Sequence, residues 1–237
     1  MERLDLWIFE AINGLAGASA LRDEIVRFVA YNELVKGLPV MMVWWGLWFW
    51  ARDTHAATRP RLVAVLACAI GAIAVGRGLN ALLPFRLRPM HDPAIDSILP
   101  IGASVRTLDG WSSMPSDHAV LFFALAMGIV FVHRTAGLLL LAHAAIVIAL
   151  PRVYVGFHYP SDLAVGALLG LLIAVMIVPP VSAAVERSRF SSFERQAPHL
   201  VYPLLFFITF QTATLFNTAR DLVVVSWKVL RLIMLSL

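Results

Sequence analysis

Apolar residues run along this chain in long blocks separated by short polar stretches, a pattern that predicts helices crossing a bilayer. A hydrocarbon core needs roughly 17 to 25 apolar residues as helix. By that measure about six spans are expected: residues 34–50, with Lys36 able to snorkel; 62–85, with Arg77 near the far end; then 119–132, 136–150, 163–178 and 200–216. The third and fourth hold only about 15 apolar residues each, roughly 22 Å of helix, which places their polar ends near headgroup depth. Ahead of the spans, Leu4, Trp7, Ile8, Ala11 and Leu15 recur at helical spacing while Arg3, Asp5 and Glu10 point elsewhere, as in a helix lying in the interface. Residues 218–237 predict a second interfacial helix, with Arg220, Lys228 and Arg231 on one narrow stripe. No repeat or low-complexity tract appears. The expectation is one all-α domain over residues 1–237: an interfacial segment 1–33, a polytopic bundle with its core at 62–178, and the C-terminal helix.

Composition sharpens this reading. Of 237 residues, 60% are hydrophobic and 14% charged, and the mean hydropathy is +0.80. A soluble domain carries about a quarter charged residues, so a water-soluble globule, a disordered chain and a basic nucleic-acid-binding domain are excluded as readings. The net charge is +4, and 17 of the 19 cations are arginine, the residue suited to forked contacts with phosphate. Cys68 is the sole cysteine, which leaves no intrachain disulfide and no thiolate metal cluster. A cleavable signal is not expected, because residues 1–20 contain Glu2, Asp5 and Glu10 and lack a basic segment followed by an apolar run.

If each span crosses once, residues 51–61, 133–134 and 179–199 share one face. The start, the 86–117 loop, the 151–162 turn and the tail share the other. Three polar clusters converge on that second face: Pro84-Phe85-Arg86-Leu87-Arg88-Pro89, Pro115-Ser116-Asp117-His118, and Arg152 followed by His158 and Asp162. In the second, Ser116 is a favourable N-cap and the amides of Asp117 and His118 open a helix, which makes an anion site with His118 in place to donate a proton. In the third, Pro160 suits a first helical turn, leaving His158 just before the helix and Asp162 just inside it. A carboxylate on one imidazole nitrogen fixes the tautomer and leaves the other nitrogen nucleophilic. Arg88 and Arg152 would clamp phosphoryl oxygens and offset transition-state charge.

This arrangement resembles the type-2 phosphatidic acid phosphatase superfamily of membrane lipid phosphatases, whose signature is K-x6-R-P, then P-S-G-H, then S-R-x5-H-x3-D. The resemblance implies that Arg88, Ser116, the amides at Asp117 and His118, and Arg152 bind phosphate. It implies that His158 is the nucleophile forming a phosphohistidine, that Asp162 orients it, and that His118 protonates the leaving oxygen. It implies no metal or other cofactor, a membrane lipid phosphate as substrate, the bilayer as surroundings, no nucleic acid and no protein partner. Three positions depart from the signature: Ala81 stands for the lysine, Pro151 for the serine and Asp117 for the glycine. The P-S-D-H form and the run from Tyr154 through Gly156 and His158 to Pro160 look like the bacterial undecaprenyl-diphosphate phosphatase branch. Arg77 lies one helical turn before Ala81 on the same face, so its longer side chain is the expected stand-in for the lysine.

Taken singly, arginines at span ends anchor in the interface, boundary histidines are structural and a Ser-Asp pair is a cap. The joint pattern, in order and on one face, is what points to a phosphatase site. His91, Asp92, Asp96 and Asp109 are scattered without ligand spacing, and Trp44, Trp45, Trp48 and Trp50 are expected in the aromatic belt. The expected activity is hydrolysis of a lipid phosphate or diphosphate, undecaprenyl diphosphate by analogy. Phosphatidic acid, phosphatidylglycerol phosphate and lipid A are competing substrates, and a non-hydrolytic binder, transporter or phosphotransferase is the rival class. Three arginines packed into residues 51–61 orient that turn to the cytoplasm of a bacterial inner membrane and the site to the periplasm or exterior.

Overall fold

The structure, a computed structural model, describes residues 2–50, 58–217 and, in the tail, 222, 225–228, 231 and 234. The described residues are helical or irregular, with no strand among them. Two short amphipathic helices, α1 (Glu2–Asn13) and α2 (Ala20–Tyr31), precede α3 (Glu33–Trp50) and α4 (Thr58–Leu82). A long loop then leads to α5 (Asp117–Val130). α6 (Arg134–His143), a π-helical segment (Ala144–Ala149) and α7 (Leu150–Tyr154) follow without a break, and α8 (Pro160–Arg187), α9 (Phe190–Gln196) and α10 (Pro198–Ala213) complete the order.

Among the described residues, three helices are long and apolar enough to cross a membrane: α4, the continuous Arg134–Tyr154 helix and α8. α5 is a shorter apolar helix of 14 residues. The centre of the bundle is α4, α5 and α8, and small residues let them approach. A Cβ on Gly170 would stand 2.4 Å from the Val120 carbonyl oxygen, and one on Gly166 would stand 2.8 Å from the Ser116 carbonyl oxygen. This Gly166-x-x-x-Gly170 pair draws the start of α8 against the start of α5.

Several expectations change. The fourth span is not short: its helix runs 21 residues, from Arg134 to Tyr154, with the π-helical segment keeping it continuous into the turn that carries Arg152. The turn expected at 179–199 begins later. α8 continues through Pro179 and Pro180 to Arg187, as membrane helices tolerate internal proline. Trp44 and Trp48 are not belt residues. Both are fully buried, stacked at 5.1 Å, and Trp44 Nε1 donates to the Leu62 carbonyl.

The segment expected at the interface is two helices rather than one, and Leu4, Trp7 and Leu15 are exposed. Its inner face is Asp5, Phe9 and Asn13, all buried. Residues 51–57 of the arginine-rich turn, and Arg220 of the tail stripe, lie outside the described residues.

Candidate active site

Three separate pieces of chain meet at one end of the α4, α5 and α8 core. The 86–88 strip follows α4, Ser116 to His118 start α5, and Arg152 to Asp162 join α7 to α8. A backbone hydrogen bond from Ser116 N to the Asp162 carbonyl, 3.3 Å, ties the second to the third. Beside it, Ser113 N donates to the Arg86 carbonyl at 2.9 Å and ties the first to the loop. The pieces enclose a cavity of about 660 Å³ lined by Arg88, Asp117, His118, Arg152 and His158, with Arg77, Ala81, Arg106 and Trp111 on its walls.

His158 is buried, and its two ring nitrogens face different chemistry. Nδ1 lies 2.8 Å from the Ser113 carbonyl, so it carries the proton and donates it there. Nε2 lies 3.2 Å from Arg88 Nη1, a group that only donates, so Nε2 presents its lone pair. The tautomer is therefore set by geometry, with the lone pair at the cavity. Burial, and after it the Arg88 and Arg152 guanidiniums, push the imidazole down to about 4 against the opposing pull of Asp162. The ring is neutral at pH 7.

Asp162 stands behind this histidine rather than directly on it, with Oδ2 3.7 Å from Nδ1. Its oxygens are taken by the Ser113 hydroxyl, the Tyr159 amide at 2.9 Å and Arg86 Nη1 at 2.6 Å. The Tyr159 contact is half of a capping box at the start of α8, so a local helix-start motif fixes the carboxylate.

His118 is held by its neighbour. The Asp117 carboxylate accepts from His118 Nδ1 at 2.8 Å and from the His118 amide at 2.8 Å. Nε2 of His118 is then the ring atom left for the cavity. The same contact occupies an amide that the sequence assigns to phosphate, so Asp117 meets His118 here. Ser116 takes the N-cap position of α5, yet its hydroxyl caps nothing: Oγ is buried without a hydrogen-bond partner. Arg152 Nε is also buried and unpartnered. Buried donors are rarely left so; Arg152 lines the cavity, and Ser116 lies between Pro115 and Asp117, which do. Arg88 uses its fork on the Trp111, Phe157 and Ser112 carbonyls at 2.8 to 3.1 Å. Burial lowers its pKa from the usual arginine value, with Asp117 and Asp162 opposing. Arg77 reaches the cavity wall, with Nη2 donating to the Leu215 carbonyl at 2.7 Å and to Asn217.

Two groups escaped the sequence reading. Arg86, counted there only as a loop cation, bridges Asp162 and Asp5 at 2.6 and 3.0 Å and lies over the Tyr159 ring at 4.2 Å. Asp5 also accepts from the Ser161 amide at 2.8 Å, which fastens α1 to the start of α8. Ser113 links His158 to Asp162. The signals were present as a polar residue inside each apolar or irregular stretch, but their partners lie 81 and 49 residues away.

Comparison with known proteins finds relatives over most of the chain. The bacitracin transport permease protein BcrC of Bacillus licheniformis is 28% identical over 181 residues, covering 73% of this chain and 79% of that protein. The putative undecaprenyl-diphosphatase YbjG of Escherichia coli K12 is 29% identical over 174 residues, covering 73% and 80%. The undecaprenyl-diphosphatase BcrC of Bacillus subtilis 168 is 24% identical, covering 72% and 78%. Among solved structures, LpxE of Aquifex aeolicus matches with a TM-score of 0.49 at 23% identity, covering 73% of this chain and 93% of that one. Residues 61–185, more than half of the chain and all three clusters, match the model of the PAP2 superfamily, and the chain belongs to that family of lipid phosphatases.

Proposed function

We propose that this protein is an integral membrane phosphatase that hydrolyses undecaprenyl diphosphate to the monophosphate and inorganic phosphate. The observation that carries the mechanism is the His158 ring: neutral, its Nδ1–H held by the Ser113 carbonyl, its Nε2 lone pair facing the cavity beside Arg88. Nε2 attacks the terminal phosphorus, and the bond from that phosphorus to the bridging oxygen breaks. His118, carrying a proton on each ring nitrogen in the substrate complex with Nδ1–H on Asp117, gives the leaving lipid phosphate the proton from Nε2. Water then attacks the phosphohistidine, giving its proton back to His118, and inorganic phosphate leaves with His158 restored.

Arg88, Arg152 and the Ser116 hydroxyl hold the three equatorial oxygens, where charge develops. Asp162, clamped by Arg86, Ser113 and Tyr159, orients the nucleophile. Arg77 and Arg106 serve the second phosphate from the cavity wall. No step calls for a metal, since the positive charge is supplied by side chains.

The choice of lipid rests on the relatives named as undecaprenyl-diphosphatases. The chain crosses the membrane six times in this reading, with α3, α5 and α10 completing the spans and the cavity facing the periplasm or exterior. Purified protein in detergent, given undecaprenyl diphosphate with and without chelator, is expected to release phosphate equally in both. Acid-labile, alkali-stable labelling of His158 is expected after a rapid quench. No release, or release abolished by chelator, would overturn the reading. A cysteine at the exposed Ser104, in a Cys68→Ala background, is expected to react with an impermeant maleimide in intact spheroplasts; labelling only after lysis would reverse the orientation.

A further inference from the structure

Lys36 lies in the first turn of α3, where a lysine beside an apolar helix ordinarily extends to water. Here it turns inward and is 3% exposed. Its Nζ donates to the Ala30 carbonyl at 3.2 Å, and the same oxygen accepts from Arg152 Nη1 at 3.4 Å. Two cations from different helices thus meet on one neutral acceptor. The first turn of α3 is seated firmly enough to hold this: His143 Nε2 lies 3.1 Å from the Lys36 carbonyl, and at Gly37 a Cβ would stand 2.3 Å from the Ala213 carbonyl oxygen.

The charged groups facing the ammonium are Arg152, Glu33 and Asp117, and its charge is also felt at His118. Neither carboxylate pairs with it within 4 Å among the described residues. Glu33 accepts from Asn217 at 2.9 Å, and Asp117 holds His118. Burying an ammonium with one neutral acceptor is costly, and a guanidinium on that acceptor adds repulsion. Close by, Arg152 Nε and Ser116 Oγ are buried and unpartnered.

We infer that Lys36 supplies the positive charge that position 81 does not, as a positioning cation behind Arg152 in the phosphate site. The inference rests on the phosphatase reading above. Lys36 acts through Arg152: its ammonium shares the guanidinium's acceptor, so Arg152 directs its remaining N–H groups at the cavity, and the added field strengthens the hold on phosphoryl oxygens.

Orthovanadate binding to the purified full chain tests this without requiring turnover. Lys36→Met removes the charge at similar length, and Lys36→Arg keeps it. Lys36→Met is expected to bind orthovanadate at least about 30-fold more weakly while melting at or above the wild-type temperature, since a buried charge is gone. Lys36→Arg should stay within about fivefold, and Ala81→Lys added to Lys36→Met should recover at least about tenfold. Lys36→Met binding within twofold of wild type would overturn the inference. So would equal losses in Lys36→Arg, or a Lys36→Met protein that no longer folds, because the lysine would then be structural. If the wild type binds orthovanadate through Lys36 yet releases no phosphate from undecaprenyl diphosphate, the substrate reading fails and this one stands.

Discussion

Arginines hold both ends of the bundle, and their partners differ. At the end away from the cavity, Arg59 of α4 is paired with Glu194 of α9, which also accepts from Tyr202 at 3.0 Å, and the guanidinium lies 5.0 Å from the Trp48 ring centroid. That arginine is neutralised on the spot and fastens two helices. At the cavity end, Arg88 and Arg152 are more deeply buried than Arg59 but pair with no carboxylate within 4 Å among the described residues; Arg152 meets a carbonyl, and Arg88 meets three carbonyls and the His158 ring. Where a carboxylate does appear there, on Arg86, it is Asp162 or Asp5, and Asp162 stands behind His158. The difference separates an arginine neutralised by a carboxylate from those proposed to bind phosphate, whose charge is left without a counter-ion. Such a charge costs stability until an anion arrives.

The contrast can be broken most severely at the nucleophile. His158→Ala is expected to lower kcat by about 10⁴-fold or more, because the proposed nucleophile is removed, and the phosphohistidine signal should vanish. Phosphate release at more than a tenth of the wild-type rate would remove His158 from the chemistry.

Next come the unpaired arginines. Arg152→Ala and Arg88→Ala should each cost about 10² to 10⁴ in kcat/KM with a melting temperature equal to or above wild type, measured by activity and thermal unfolding on the same preparation. Loss of fold in step with loss of rate would place them with Arg59 instead.

A smaller effect is read from pH. Because the folded-state imidazole of His158 titrates at about 4 rather than 6.5, it stays unprotonated and nucleophilic well below neutrality. The kcat/KM profile should then stay level, as far as this group is concerned, until pH approaches about 4, and fall roughly tenfold per unit below it. An acid limb centred near 6.5 and carried by His158 would mean that the ring is solvated and the packing around it open.

The smallest effect on turnover is expected at the far end. Arg59→Ala should leave kcat/KM per folded molecule within about twofold while lowering stability by about 1 to 3 kcal/mol, since it strands Glu194, a residue only 5% exposed. A hundredfold loss of activity without unfolding would show that the two ends are coupled.

What could be read before the fold was known is local. The helix starts at Ser116-Asp117-His118 and Tyr159-Pro160-Ser161-Asp162 are legible because capping and proline preferences act within one turn, and the structure places both starts as expected. The span positions follow from the same short range. Misread positions are those where a neighbour far along the chain decides. Trp44 reads as a belt residue until α4 offers it the Leu62 carbonyl. Pro179 and Pro180 read as a turn until α8 is seen to run through them, and Arg86 reads as a loop cation until Asp5 is brought 81 residues back to it.

By itself, then, the amino-acid order determined that this is a helical membrane protein with two histidines, two arginines and a carboxylate at helix ends, because hydropathy and capping are properties of short segments. Tertiary structure alone decided which nitrogen of His158 faces the cavity, which arginines are neutralised, and that Lys36 points inward. Those outcomes depend on which carbonyl or carboxylate arrives from another helix, and close approach at Gly166 and Gly170 controls that arrival at the catalytic end.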